Sequence, residues 1–267
     1  MCRFFGFLGY DEILIDKLLY YPSNSLIKQS HSCRESISRL NGDGFGLAWY
    51  KEAIDSKPAV FKSTQPAWND INLKHISQKT ISNCIIAHVR AATVGDVNIT
   101  NCHPFYFEDF VFVHNGNIQN FSLFKRTILS RLSNELFQKI TGQTDSEYIF
   151  FLIMQFYLET KNLTSACIKA IKFIEDLQST YSTDISAKIN ILITDGKSIF
   201  ATKYSSKDAE VLSLKYSYNP KFINNKNSNI IISSEALDDE SEWINIPDNS
   251  YLYLESINSN VIIKHIN

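Results

Sequence analysis

No stretch of the 267 residues is apolar over the roughly 18 positions needed to cross a bilayer. The opening run MCRFFGFLGYDEILIDK lacks the basic start and small-residue cleavage site of a signal peptide. Charge bias is missing as well: 26 Lys and Arg against 28 Asp and Glu leave a formal net charge of −2, without the electrostatic footprint of a protein that binds nucleic acid or anionic lipid. The five cysteines, Cys2, Cys33, Cys84, Cys102 and Cys167, are odd in number and contain no CxxC pair, which argues against a disulfide framework and a thiolate zinc site. No repeat of fixed period is present. These absences lead to the expectation of a cytoplasmic protein with reduced thiols, no metal, no nucleic-acid or membrane partner, and a small molecule as ligand.

What is present is an ordinary globular composition, 44% apolar and 20% charged, expected to form one domain over residues 1–267. The first half holds short β-rich runs: Arg3–Gly9, Phe45–Tyr50, Ala59–Lys62, Cys84–Arg90 and Phe107–His114. Three helical stretches follow, about Ile118–Leu132, Asp145–Leu158 behind a Thr144 cap, and Asn162–Thr180. The chain then returns to strands at Ile189–Thr194 and Ile199–Tyr204, flanking the hairpin signal Asp195-Gly196, and at Ile230–Ser233, Tyr251–Ser256 and Val261–His265. Strands, then helices, then strands predict an α+β layered domain. The Asn- and Lys-rich run 219–229 reads as an exposed loop.

Four constellations bear on chemistry. Cysteine at position 2 follows an initiator Met that is normally removed before a small residue, which would leave one residue carrying both a thiol and a free α-amine. With reference pKa values of about 8.5 and 7.7–8.0, the amine can take the thiol's proton and later return it to a leaving group. Arg90 ends a strand and precedes Thr93 in a Gly-containing loop; its paired donors suit a carboxylate, and a surface ion pair is the plain alternative. Asn115 and Gly116 follow a strand, where Asn-Gly forms a simple turn or presents two donors to an oxyanion. Thr144-Asp145-Ser146-Glu147 opens a helix as a capping box, with Asp145 available to an ammonium group. His103 and His114 lack HxxxH or HxH spacing and are expected to serve structural hydrogen bonds.

Taken in order, MCRFFGFLG, NGDGFGLAWY, AHVRAATVG, CHPF, HNGNI and TDSE resemble the class II, N-terminal-cysteine glutamine amidotransferase domain, most closely its compact YafJ-like branch of stand-alone proteins. The segment Ser234-Glu235-Ala236-Leu237, with Trp243 before Pro247, is similar too, so the resemblance covers essentially the whole chain. It implies a four-layer αββα N-terminal-nucleophile hydrolase sandwich with two stacked antiparallel sheets. It also implies Cys2 as nucleophile, Asn115 and Gly116 as oxyanion donors, Arg90 and Thr93 as the grip on a substrate α-carboxylate, and Asp145 as partner of the α-amine, with no cofactor. Asp43, Gly44 and Gly46 match the family in a loop-to-strand position and are expected to shape the site; Gly6 fits either that role or packing.

The implied substrate is glutamine or a γ-glutamyl compound, cleaved through a Cys2 thioester. A chain of this length leaves no room for an ammonia-consuming synthase domain, so the expected partner is either a separate synthase subunit or none, the protein then acting as a free-standing γ-glutamyl hydrolase. Two alternatives stand beside this: a non-catalytic amino-acid-binding relative of the same fold, and another N-terminal-cysteine amidase, which would leave HNG and TDSE unexplained.

Overall fold

The computed structural model describes residues 2–35, 40–92, 95–181, 186–206, 209, 211–224 and 227–266. In chain order the strands begin with β1 (Arg3–Leu14), β2 (Phe45–Trp49), β3 (Ala59–Ser63) and β4 (Ile81–Val89). They continue with β5 (Phe105–Phe107), β6 (Phe110–Ile118), β7 (Ala187–Thr194) and β8 (Ile199–Lys203). The last are β9 (Lys215–Tyr218), β10 (Asn229–Ser233), β11 (Ile244–Asn245), β12 (Ser250–Leu254) and β13 (Ile262–His265). Helices are α1 (Asp16–Leu19), α2 (Leu26–Ser32), α3 (Ile71–Ser77), α4 (Lys125–Arg131), α5 (Asn134–Phe137), α6 (Asp145–Thr160) and α7 (Leu163–Tyr181).

The run FFGFLG in β1 is apolar at every position because the strand is covered on both faces. Phe4 and Leu8 point into a core shared with Val111, Val113 and Leu192. Phe5 and Phe7, with the opposite parity, pack with Leu18, Leu26 and Leu73 of the first three helices. β4 repeats the pattern, Cys84 and Ile86 inward, Ile85, Ala87 and Val89 outward. In β6, Val111 and Val113 face the shared core while Phe110 and Phe112 pack with Phe150, Ile171 and Ile174 of α6 and α7.

Among the described residues the strands form two antiparallel sheets, seven-stranded in the order β11-β9-β10-β1-β4-β2-β3 and six-stranded in the order β13-β12-β8-β7-β6-β5. Helices on both outer faces and an apolar layer between the sheets give the four-layer αββα sandwich that the resemblance implied. The sheets approach closely at Gly6, where an added Cβ would lie 2.5 Å from Leu192 Cδ1, so that glycine serves packing.

Two local expectations are corrected. Asn115-Gly116 is no turn: β6 runs on to Ile118, with Asn115 opposite Asn190 and Gly116 opposite Ile189 in β7. The helix expected from Ile118 accordingly starts later, after a 3-10 turn at Phe121–Leu123, as α4. The short elements α1–α3, α5, β5, β9 and β11 do not show in the sequence, being too brief to carry a period. The hairpin at Asp195-Gly196 is present, with Gly196 at φ 85° and Asp195 Oδ1 accepting from the N–H groups of Lys197 and Ser198.

Candidate active site

Antiparallel pairing brings the start of β1 and the end of β4 to the same edge of their sheet, Arg3 opposite Val89. Cys2 therefore lies beside the residues that follow Arg90. Its Sγ accepts from Ala91 N at 3.4 Å and lies 3.5 Å from Ala91 O. Enough protein surrounds the sulfur to push the thiol pKa up; the Ala91 N–H and nearby positive charge, including Arg90 and Arg3, act in the opposite direction.

Arg90 is buried and donates from Nη1 to Asp96 O at 3.0 Å and from Nη2 to Gly95 O at 3.3 Å, bonds that fix the plane of its guanidinium. Asn101 locks that loop in place: its Nδ2 donates to Asp96 O and its Oδ1 accepts from Gln143 N, both within 2.9 Å. One buried amide thus ties the Arg90 loop to the segment that leads into α6. Asp43 closes the other side, its N donating to Arg90 O at 3.0 Å and its Oδ2 accepting from Ala92 N at 2.8 Å. Gly44, at φ 109°, and Gly46 let the 102–104 segment pack closely against this loop; a Cβ on Gly44 would stand 2.6 Å from Cys102 Sγ and one on Gly46 2.0 Å from His103 O.

The second sheet supplies Asn115 and Gly116 from the last part of β6. His88 of β4 reaches across the sheets, its Nε2–H donating to His114 O at 3.2 Å, so the peptide entering Asn115 is held from the first sheet. His114 Nε2–H donates to Lys188 O at 3.0 Å, which leaves Nδ1 to accept from Ser146 Oγ at 2.9 Å. Asp145 begins α6 with its carboxylate turned onto backbone: Oδ2 accepts from Ile118 N at 2.7 Å and Oδ1 from Ser146 N at 2.9 Å. Its position beyond Asn115–Ile118 is set by those bonds. Thr93 lies outside the described residues.

The sequence profile described as glutamine amidotransferases class-II matches residues 23–263. A Saccharomyces cerevisiae protein, "probable glutamine amidotransferase DUG3", is 34% identical over 302 residues, 99% of this chain and 84% of its own. The chain belongs to the class-II glutamine amidotransferases. A γ-glutamyl-hercynylcysteine sulfoxide hydrolase of Mycobacterium tuberculosis is 26% identical, with 93% of this chain and 90% of that protein covered. A glutamine aminotransferase class-II domain protein from Silicibacter pomeroyi has the same fold, with TM-score 0.71 at 21% identity and 98% of each chain covered.

Against this class-II background one residue matters that the sequence did not single out, Asn101, and one takes a different part from the one expected, Glu147. Asn101 could have been suspected only as one more Asn in a polar run; its role comes from contacts 5 and 42 residues away. Glu147 was expected to complete a capping box. Thr144 Oγ1 does accept from Glu147 N, but the Glu147 carboxylate binds the N–H groups of Thr141 and Gly142, shaping the approach to Asp145. A cavity of about 390 Å³ shares Thr141 and Glu147 with this region, and neither Cys2 nor Arg90 lines it. Among the described residues no group of three or more His, Cys, Asp or Glu side chains is arranged to hold a metal ion, and no helix is long and apolar enough to cross a membrane.

Three histidines cluster behind the site, all buried. His103 stacks on His88 with ring centroids 4.0 Å apart; among the described residues its two ring nitrogens make no hydrogen bond, where structural hydrogen bonding was expected. Burial lowers all three pKa values, His88 to about 3; the bond to His114 O opposes this for His88, and the nearby positive charge of Arg90 adds to it. Below pH 6.5 the unfolded chain takes protons that the native state refuses, so stability present above that pH falls as the pH drops toward 3. For His88 alone the slope is about 1.4 kcal/mol per pH unit across that window. Urea midpoints at pH 7, 6 and 5 should fall steadily; a midpoint unchanged from pH 7 to 5 would contradict neutral burial of the cluster.

Proposed function

We propose that the protein cleaves the γ-amide of glutamine or of a γ-glutamyl compound through a thioester on Cys2. The observation that carries this reading is the meeting of the Cys2 thiol with the segment after Arg90 at the shared end of β1 and β4; the oxyanion site is assigned to Asn115 and Gly116 of the second sheet. Removal of Met1 frees the α-amine of Cys2, which accepts the thiol proton. The thiolate attacks the γ-carbonyl, and the oxygen's developing charge is met by the Asn115 amide and the Gly116 N–H. The protonated amine gives its proton to the departing ammonia or amine. Water then attacks the γ-glutamyl thioester, releasing glutamate and restoring the thiol. Arg90 and Thr93 hold the substrate's α-carboxylate and Asp145 its α-ammonium, so one residue set recognises any γ-glutamyl group whatever its leaving group.

Hydrolysis in isolation is favoured over delivery of ammonia to a separate synthase subunit by the sulfoxide hydrolase relative, which aligns over most of both chains. A cytoplasmic location suits the five free thiols. The test is glutamate release from glutamine and from a panel of γ-glutamyl amides and peptides, using protein whose intact mass shows Met1 removed. Turnover of one γ-glutamyl compound well above glutamine is expected. Absence of glutamate from every substrate, or Met1 retained in protein purified from its native source, would overturn the proposal in favour of a binding role.

A further inference from the structure

Arg3 and Glu235 form an ion pair in which both side chains are about 98% buried, Nε to Oε1 at 2.6 Å. Burying two charges is expensive, and apolar residues of similar volume often serve stability as well or better. The contacts of the pair indicate what the charges provide. Arg3 Nη1 donates to the carbonyl oxygen of Cys2 at 2.8 Å. Glu235 Oε1 also accepts from Glu35 N, and Oε2 accepts from Arg34 N, both at 2.9 Å, with Asn24 Nδ2 at 3.4 Å. These donors hold Glu235 ionised: burial pushes its pKa up, but the N–H groups of Arg34 and Glu35, together with Arg3, outweigh it. The backbone around the pair is equally fixed. Ser234 N donates to Phe4 O, and Phe4 N donates to Ser234 Oγ.

With Met1 removed, Cys2 would differ from a nucleophile inside a chain in having one side free. Pairing between β1 and its neighbouring strands is registered only from Arg3 onward. Rotation about the Cα–C bond of Cys2 would swing its amine and its thiol together. The Arg3 bond to the Cys2 carbonyl restrains the peptide plane that sets this rotation.

We propose that Glu235 is a positioning residue for the nucleophile: by holding Arg3, it fixes the Cys2 carbonyl and thereby the placement of the Cys2 thiol and α-amine, while tying the 33–35 segment to the same point. The inference rests on the reading of Cys2 as the nucleophile. The sequence shows Ser234-Glu235-Ala236-Leu237 only as a likeness; the carboxylate's four donors give it a task.

The experiment compares wild type, Glu235→Gln and the apolar pair Arg3→Met/Glu235→Leu, each with Met1 removal confirmed by mass. Readouts are the melting temperature, kcat and KM on the best γ-glutamyl substrate, and the pH dependence of Cys2 alkylation by iodoacetamide. Glu235→Gln should lower kcat by about 10- to 100-fold with KM changed less than about threefold, the loss expected of a misplaced reacting group. The double variant should regain the melting temperature of the wild type while kcat stays depressed, and its alkylation profile should shift toward that of an unrestrained terminal cysteine. A purely structural pair predicts otherwise: the double variant that recovers stability would recover kcat and the wild-type alkylation profile, and that result would overturn the inference. So would an unchanged kcat in folded Glu235→Gln. If wild type hydrolyses nothing, the functional reading has failed; the alkylation profile still decides whether Glu235 positions Cys2.

Discussion

Cys2→Ala is expected to reduce glutamate release by at least about 10³-fold while shifting the melting temperature by no more than a degree or two. Loss of a covalent nucleophile removes the thioester route entirely, and what survives in comparable enzymes is the modest catalysis of oxyanion and binding groups. Alanine is small enough for Met1 to be removed, so the α-amine survives and the variant separates thiol from amine. Among the described residues the thiol's hydrogen bonds are to the Ala91 backbone alone, so little stability is at stake. The glutamine-mimicking diazo-ketone 6-diazo-5-oxonorleucine gives the complementary result. Cys33, Cys84, Cys102 and Cys167 are buried, and burial raises the thiol of Cys84 to about 12 and those of Cys102 and Cys167 upward. Peptide mapping should find the label on Cys2 alone. Undiminished turnover by Cys2→Ala, or label on Cys102, would remove Cys2 from the mechanism.

Gly116→Ala should cost the protein both stability and rate. A Cβ there would lie 1.9 Å from Lys188 O and 2.7 Å from Lys188 C, backbone atoms of the adjacent strand that cannot swing aside. The φ of 156° adds a conformation that L-residues rarely adopt. β6 would have to part from β7 at the centre of the second sheet, at a cost of about 3 kcal/mol or more, corresponding to a fall of roughly 6–10 °C in melting temperature. The same displacement moves the Gly116 N–H, so the folded fraction should turn over about 10²- to 10³-fold more slowly. Differential scanning calorimetry with assays normalised to folded protein separates the effects. A variant that folds with normal stability and rate would show that the close approach at Lys188 is unimportant.

The legible parts of the fold share one physical cause. β1, β4 and β6 are buried on both faces and so read as unbroken apolar runs, and α6 begins with a side-chain cap immediately before its apolar stretch. The site motifs around Cys2, Arg90, Asn115 and Asp145 were legible for a related reason: each is a short contiguous string at one end of such a strand or at the start of that helix. The hidden parts are pairwise and distant. Asn101 linking Asp96 to Gln143, His88 reaching His114 O, and Arg3 meeting Glu235 across 232 residues leave no period and no local composition to detect. Asn115-Gly116 misled because the dipeptide's turn preference is local, whereas pairing with β7 is tertiary and prevailed.

The placing of β1 between β4 and β10 bears on how the protein is made. A ribosome delivers this strand long before β10, and β4 can join it early, yet its other edge stays uncovered until residues 229–233 have been synthesised. Phe4 and Ser234, which share two backbone-directed bonds, lie 230 residues apart. Closing so long a loop late is the slow, high-contact-order step of such topologies, and a strand edge left open meanwhile is a natural client for chaperones. Cys2 therefore reaches its native surroundings only after residues 229–235 have been made and have closed over β1.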